Sequence, residues 1–114
     1  RYVLAKNVDL AWISGVAAVS KAVIRYYDRP NKEGIELRLD KRLEVAGMWG
    51  NVSLLNGEPI VHVHIVLADE TGHAHGGHLA DGTLVFNMEI LMTTLTGPPV
   101  IRKMDPQTGL TIWR

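Results

Sequence analysis

Apolar and polar residues group into β-prone runs separated by clusters of turn formers. Leu10–Val16 and Val19–Tyr27 are rich in Val, Ile, Trp and Tyr, which suit a pleated, half-buried surface. Asp28–Gly34 is a cluster of turn formers, and Ile35–Leu39 then alternates apolar with charged residues as a half-buried strand does. Leu43–Leu55 reads as a longer strand, with Gly47 and Gly50 marking a bend, a bulge or a close backbone approach. Asn56–Pro59 turns the chain at hairpin distance into the strand Ile60–Ala68. Asp69–Gly72 turns again, a glycine-containing segment follows, and Thr83–Leu95 is another long β-prone run. Gly97–Pro99 breaks it, and Val100–Met104 and Leu110–Trp113 read as a last hairpin around Asp105–Gly109. Helical character is confined to Arg1–Asn7, which reads as the last turns of a helix whose start lies upstream, and a first residue of Arg in place of Met agrees with that. The pattern predicts a mostly antiparallel sheet with one helix.

A chain of 114 residues holds one domain, 1–114, since two would divide the residues below what separate cores need. One short helix cannot cover both faces of so long a sheet. Val61, Val63, Ile65 and Leu67 make one face of their strand apolar, and Leu84, Phe86, Met88 and Ile90 do the same for theirs, so part of this surface is expected to meet another copy. The absence of cysteine excludes disulfides, thiolate metal sites and a Cys nucleophile. No apolar run reaches the roughly 18 residues of a membrane helix, and no signal peptide opens the chain, which makes the cytoplasm the expected compartment.

The net charge is zero, but its distribution is uneven. Residues 1–42 carry nine Lys or Arg against five Asp or Glu, residues 43–96 carry none against six, and residues 97–114 carry three against one. All five histidines fall in the central stretch, where acids and imidazoles without Lys or Arg suit a bound cation. His62 and His64 stand at i and i+2 of a strand and point to one face, with Cβ atoms roughly 6.5–7 Å apart. Two imidazoles so placed can lean onto one ion. The third ligand comes from Thr71-Gly-His-Ala-His-Gly-Gly-His78: His73 and His75 flank a turn, whereas Gly76-Gly77 lets the backbone come close and turn freely before His78, which favours His78. Three histidines with an open position describe a site for a divalent metal, zinc first, with iron, copper and nickel also suited to imidazole. Glu89 interrupts the apolar strand Phe86–Leu91 and reads either as an outward charge or as a group orienting a histidine from behind.

His62-Val-His64 followed by Leu67-Ala-Asp69, Gly76-Gly-His78 and Glu89-Ile-Leu91 resembles the plant and prokaryote conserved (PPC) domain. Trp12-Ile-Ser-Gly15, Tyr26-Tyr-Asp28, Gly47–Ser53 and Thr108-Gly-Leu110 with Trp113 are similar to its other strands, so the likeness runs nearly end to end. The resemblance implies an α+β fold with one main helix, assembled as a homotrimer, with an N-terminal strand and the helix start lying before Arg1. It implies that His62, His64 and His78 are the family's metal-site histidines, as in its stand-alone prokaryotic members. It also implies a DNA-linked role, through the nuclear plant members. Those members read DNA with a separate Arg-Gly-Arg-Pro hook, which this chain lacks.

Two functional classes follow. One is an oligomeric metal-binding module that joins proteins or DNA; for DNA, Arg25, Arg29, Lys32, Arg38, Lys41 and Arg42 would have to gather on one face. The other is a metal-dependent enzyme, a hydrolase or a cupin-like oxygenase or isomerase, with acidified water on the metal and Glu89 as base. A cupin reading is weakened because five residues separate His64 from Glu70 and the second cupin motif is missing. No serine sits in a nucleophile elbow, and no glycine run has phosphate-loop spacing. Trp12, Trp49 and Trp113 read as core or interface aromatics.

Overall fold

The computed structural model describes residues 1–28, 30–31 and 33–114. In chain order these form α1 (Tyr2–Ala5), β1 (Ala11–Asp28), β2 (Glu33–Leu39), β3 (Leu43–Leu55), β4 (Glu58–Ala68), β5 (Ala74–Leu79), β6 (Leu84–Thr94), β7 (Ile101–Met104) and β8 (Thr111–Trp113). The two apolar runs on either side of Ala17 are thus one strand. Straight, β1 would span roughly 56 Å, yet the longest dimension of the protein is 43 Å. It bends where its pairing slips, between Gly15 and Ala17 against β3 and between Ala18 and Lys21 against β6. The break in the sequence pattern is a bulge, which adds twist without ending the strand.

That bend closes a ring. The first half of β1 pairs with β3, β3 with β4, and β4 with β5; β5 returns to the second half of β1 at Ile24 and Arg25. β6 flanks the first half of β1 and β2 flanks the second. β7 runs parallel to β3 at Leu54 and Leu55, on the β3 edge beyond the Ala11–Val52 pair where β1 begins, and β8 folds back on it. Val19, Ala22, Val52, Ile65 and Leu67 are fully buried inside the ring. Each buried Val, Ile or Leu removes enough apolar surface from water to contribute about 1.5–3 kcal/mol.

The expected α+β class with one main helix is corrected: the protein is built of β-strands, and among the described residues its helix is the four-residue α1. Asn7, at φ 50°, follows that single turn, and Val3 tucks into the core. The physical reason is the ring itself, since a sheet that curls onto its own inner face needs no helix to cover it. No helix among the described residues is long and apolar enough to cross a membrane. The outer edge keeps its apolar surface in the open: on β6, Leu84, Val85, Phe86, Ile90 and Leu91 are each at least half exposed.

Candidate metal centre

Strand β4 supplies two histidines. Val63, Ile65 and Leu67 turn into the core, so the pleat sends His62 and His64 to the outer face. β5 supplies the third, because His78 lies directly across from His64 and shares its face. Gly76-Gly77 does not turn; both residues lie within β5. Their expected close approach holds at residue 77, where a Cβ would stand 2.8 Å from the Arg25 carbonyl oxygen, so only glycine lets β5 seat against β1. On the other side of β4, a Cβ at Gly50 would collide with the His62 carbonyl oxygen.

The three rings converge. Their centroids lie 5.0 Å apart for His62–His64, 5.0 Å for His62–His78 and 4.1 Å for His64–His78. One nitrogen from each falls within 4.8 Å of the others. A tetrahedral ion with 2.0–2.1 Å bonds needs nitrogens about 3.3 Å apart, so the rings must close in further on an ion. His78 Nδ1 stands 3.2 Å from the Arg25 carbonyl and donates its proton there, leaving the Nε2 lone pair for a ligand. Burial, with Arg102 and then the other two histidines adding to it, pushes the His62 pKa down to about 4; burial and His78 lower that of His64. Both rings are therefore neutral at pH 7, the form that ligates. The donor set fits a divalent cation.

The remaining candidates lie elsewhere. His73 sits in the exposed turn that Asp69 organises, its backbone N–H donating to the Asp69 carboxylate at 3.0 Å. His75 pairs with Leu67, an odd number of residues from His78, and so occupies the opposite face of β5. Glu89 is exposed on β6 opposite Val16 and lines an outer cleft with Ser14, Gly47 and Trp49. Three strand spacings, roughly 14 Å, separate β6 from β4 along the sheet, so this chain does not bring its own Glu89 to the histidines. Asp69 is a turn residue, paired with Lys41 at 2.9 Å.

A neighbour of the site went unread in the sequence. Arg102 of β7 is 9% exposed and reaches back over β3. Its Nε donates to Ser53 Oγ at 2.8 Å, and its Nη2 donates to Asn51 Oδ1 at 2.8 Å and to His62 Nδ1 at 3.3 Å. Trp113, half exposed, covers the guanidinium at 5.7 Å and donates to the same Ser53 oxygen. Of the basic residues considered for DNA, Arg25 and Arg38 both pair with Glu36, Lys41 pairs with Asp69, and Arg42 lies over the Phe86 ring. Arg29 and Lys32 lie outside the described residues.

The chain is similar to proteins already solved. A metal-containing protein from Archaeoglobus fulgidus superposes with a TM-score of 0.92 at 37% identity, over 99% of this chain and 79% of that one. A plant- and prokaryote-conserved (PPC) protein from Pyrococcus horikoshii gives 0.91 at 34%, over 99% and 78%. A candidate DNA-binding protein from Bacteroides thetaiotaomicron gives 0.89 at 22%, over 99% and 78%, a likeness of fold alone. The bifunctional protein GlmU of Synechococcus sp. (strain JA-3-3Ab) is 31% identical over 98 residues, 85% of this chain, and the chain spans only 14% of that relative's length. The Plants and Prokaryotes Conserved (PCC) domain profile matches residues 1–96. With the matched residues running from α1 through β6, the chain belongs to the Plants and Prokaryotes Conserved domain family.

Proposed function

We propose that this domain is a zinc-binding module that works as a homotrimer, with His62, His64 and His78 as the protein ligands of each copy. The carrying observation is the convergence of one nitrogen from each ring to within 4.8 Å on an outer sheet face. Neutral imidazoles leave the charge of a divalent ion uncompensated, so a fourth position stays open to water or to an outside ligand. The metal-containing relative from Archaeoglobus fulgidus supports the reading. The apolar β6 edge supports self-assembly, because an exposed edge strand of 11 residues with apolar side chains on both faces is a template for pairing.

In this reading the trimer binds other proteins; DNA is the weaker partner. Among the described residues, Arg25, Arg38, Lys41 and Arg42, which would face phosphate, are engaged with carboxylates or an aromatic ring. Zinc titration by calorimetry, with elemental analysis of the purified protein, tests the site. His62→Ala, His64→Ala and His78→Ala should each lose zinc by a factor of ~100 or more, and His73→Ala should retain it. Equal retention in all four would overturn the assignment.

A further inference from the structure

Arg102 is a buried cation without an anion. Among the described residues no carboxylate lies within 4.0 Å of its guanidinium, and its acceptors are the neutral Asn51, Ser53, His62 and the Thr111 carbonyl. One of those acceptors is also a candidate metal ligand. An imidazole that ligates through one nitrogen carries its proton on the other. Ligation by His62 at Nδ1 uses up the lone pair that Arg102 holds, and ligation at Nε2 places a proton on Nδ1. Either way Arg102 loses its His62 acceptor when a metal is bound. A divalent ion on three neutral ligands beside a freed guanidinium N–H gathers positive charge that no carboxylate among the described residues pairs with at Arg102.

Both groups border one cavity of about 300 Å³, walled by Leu55, Ile60, Val61, Leu110 and Ile112, with His62, His78 and Arg102 on its polar side. We infer that Arg102 is the anion-recognition residue of the histidine site, and that the cavity takes a small carboxylic acid with an apolar body. The carboxylate supplies the acceptor that His62 withdraws, and the aliphatic wall takes the body. A phosphate suits the cavity less, because away from Thr111 and the polar side its further oxygens would meet hydrocarbon.

This role for Arg102 rests on the metal reading above, and zinc and carboxylate must then strengthen each other's binding by the same factor. The test uses hexanoate, its uncharged match hexanol, and inorganic phosphate as probes, titrated by calorimetry into the metal-free and zinc-loaded protein. Hexanoate should bind the zinc form at least ~10-fold tighter than the metal-free form, whereas hexanol should not distinguish them. Arg102→Met should erase that preference while still binding zinc, and Arg102→Lys should restore part of it. If Arg102→Met fails to fold, Arg102→Gln takes its place, because a carboxylate on the open metal position would by itself separate hexanoate from hexanol in the wild type. Equal binding of hexanoate and hexanol, an unchanged preference in a folded Arg102→Met, or tighter binding of phosphate than hexanoate would each overturn the role. Failure of the wild type to bind zinc at all would instead refute the metal reading and remove the ground for this one.

Discussion

Gly76 and Gly77 are adjacent in one strand, yet alanine should act in opposite directions at the two. At Gly77 the new Cβ would stand 2.8 Å from the Arg25 carbonyl oxygen and 3.5 Å from Ile24 Cβ, and the first of these is backbone that cannot swing aside. Relieving it requires β5 to move off β1 by roughly half an ångström. Overpacking of this kind costs about 1–3 kcal/mol, offset in part by the ~0.4–1 kcal/mol that Gly→Ala gains by restricting the unfolded chain. The net expectation is a loss of about 1–2 kcal/mol, or a fall in Tm of about 4–8 °C at ~4 °C per kcal/mol. At Gly76 the nearest atom to a new Cβ is 3.6 Å away, an ordinary contact. Gly76→Ala should therefore keep or raise Tm. Because β5 carries His78, zinc affinity should fall in Gly77→Ala and hold in Gly76→Ala. Thermal melts at one fixed protein concentration, with and without zinc, read both effects. A Gly77→Ala protein as stable as the wild type, or equal losses at both sites, would refute the account of how β5 is seated.

Three other outcomes are expected. His62 has a folded pKa of about 4 against 6.5 in the free residue, so below pH 6.5 the unfolded chain takes up a proton that the folded protein refuses. Its contribution is intact above pH 6.5 and lost as the pH falls toward 4, about 1–2 kcal/mol after allowance for solvent screening, visible in urea melts of metal-free protein at pH 7 and 4.5. Ser53→Ala strands the Arg102 Nε and Trp113 Nε1 donors that meet on one fully buried oxygen and should cost about 2–3 kcal/mol in the same assay. Leu91→Glu places a charge at a two-thirds exposed position of the β6 edge and should shift the sedimenting species from the proposed trimer to monomer; an unchanged mass would free that edge from assembly.

The strands were legible because β-branched and aromatic residues fill the long runs and turn formers separate them, and His62 and His64 could be placed on one face from the period of two in β4. The helix expectation failed because nothing in a seven-residue N-terminal pattern distinguishes one turn from the end of a longer helix. β5 was hidden for a different reason: Gly-Gly signals a turn locally, and only the Arg25 carbonyl, 52 residues earlier in the chain, shows why glycine is needed in a strand there. His78 joins the site by facing His64 across a ladder, a fact of pairing rather than spacing. Arg102 carried no signal at all. A lone arginine in a short terminal strand becomes part of the site only when β7 takes the edge of β3 beyond the start of β1.

The donation from His78 to the Arg25 carbonyl spans 53 residues and exists only once β5 has met the far half of β1. The β4–β5 hairpin alone carries all three rings, but it lacks the carbonyl that fixes the third in its ligating orientation. If the proposed zinc site holds, its affinity reports circle completion: during refolding it should reach full strength only with the final ladder, after the hairpins have gained their backbone bonds.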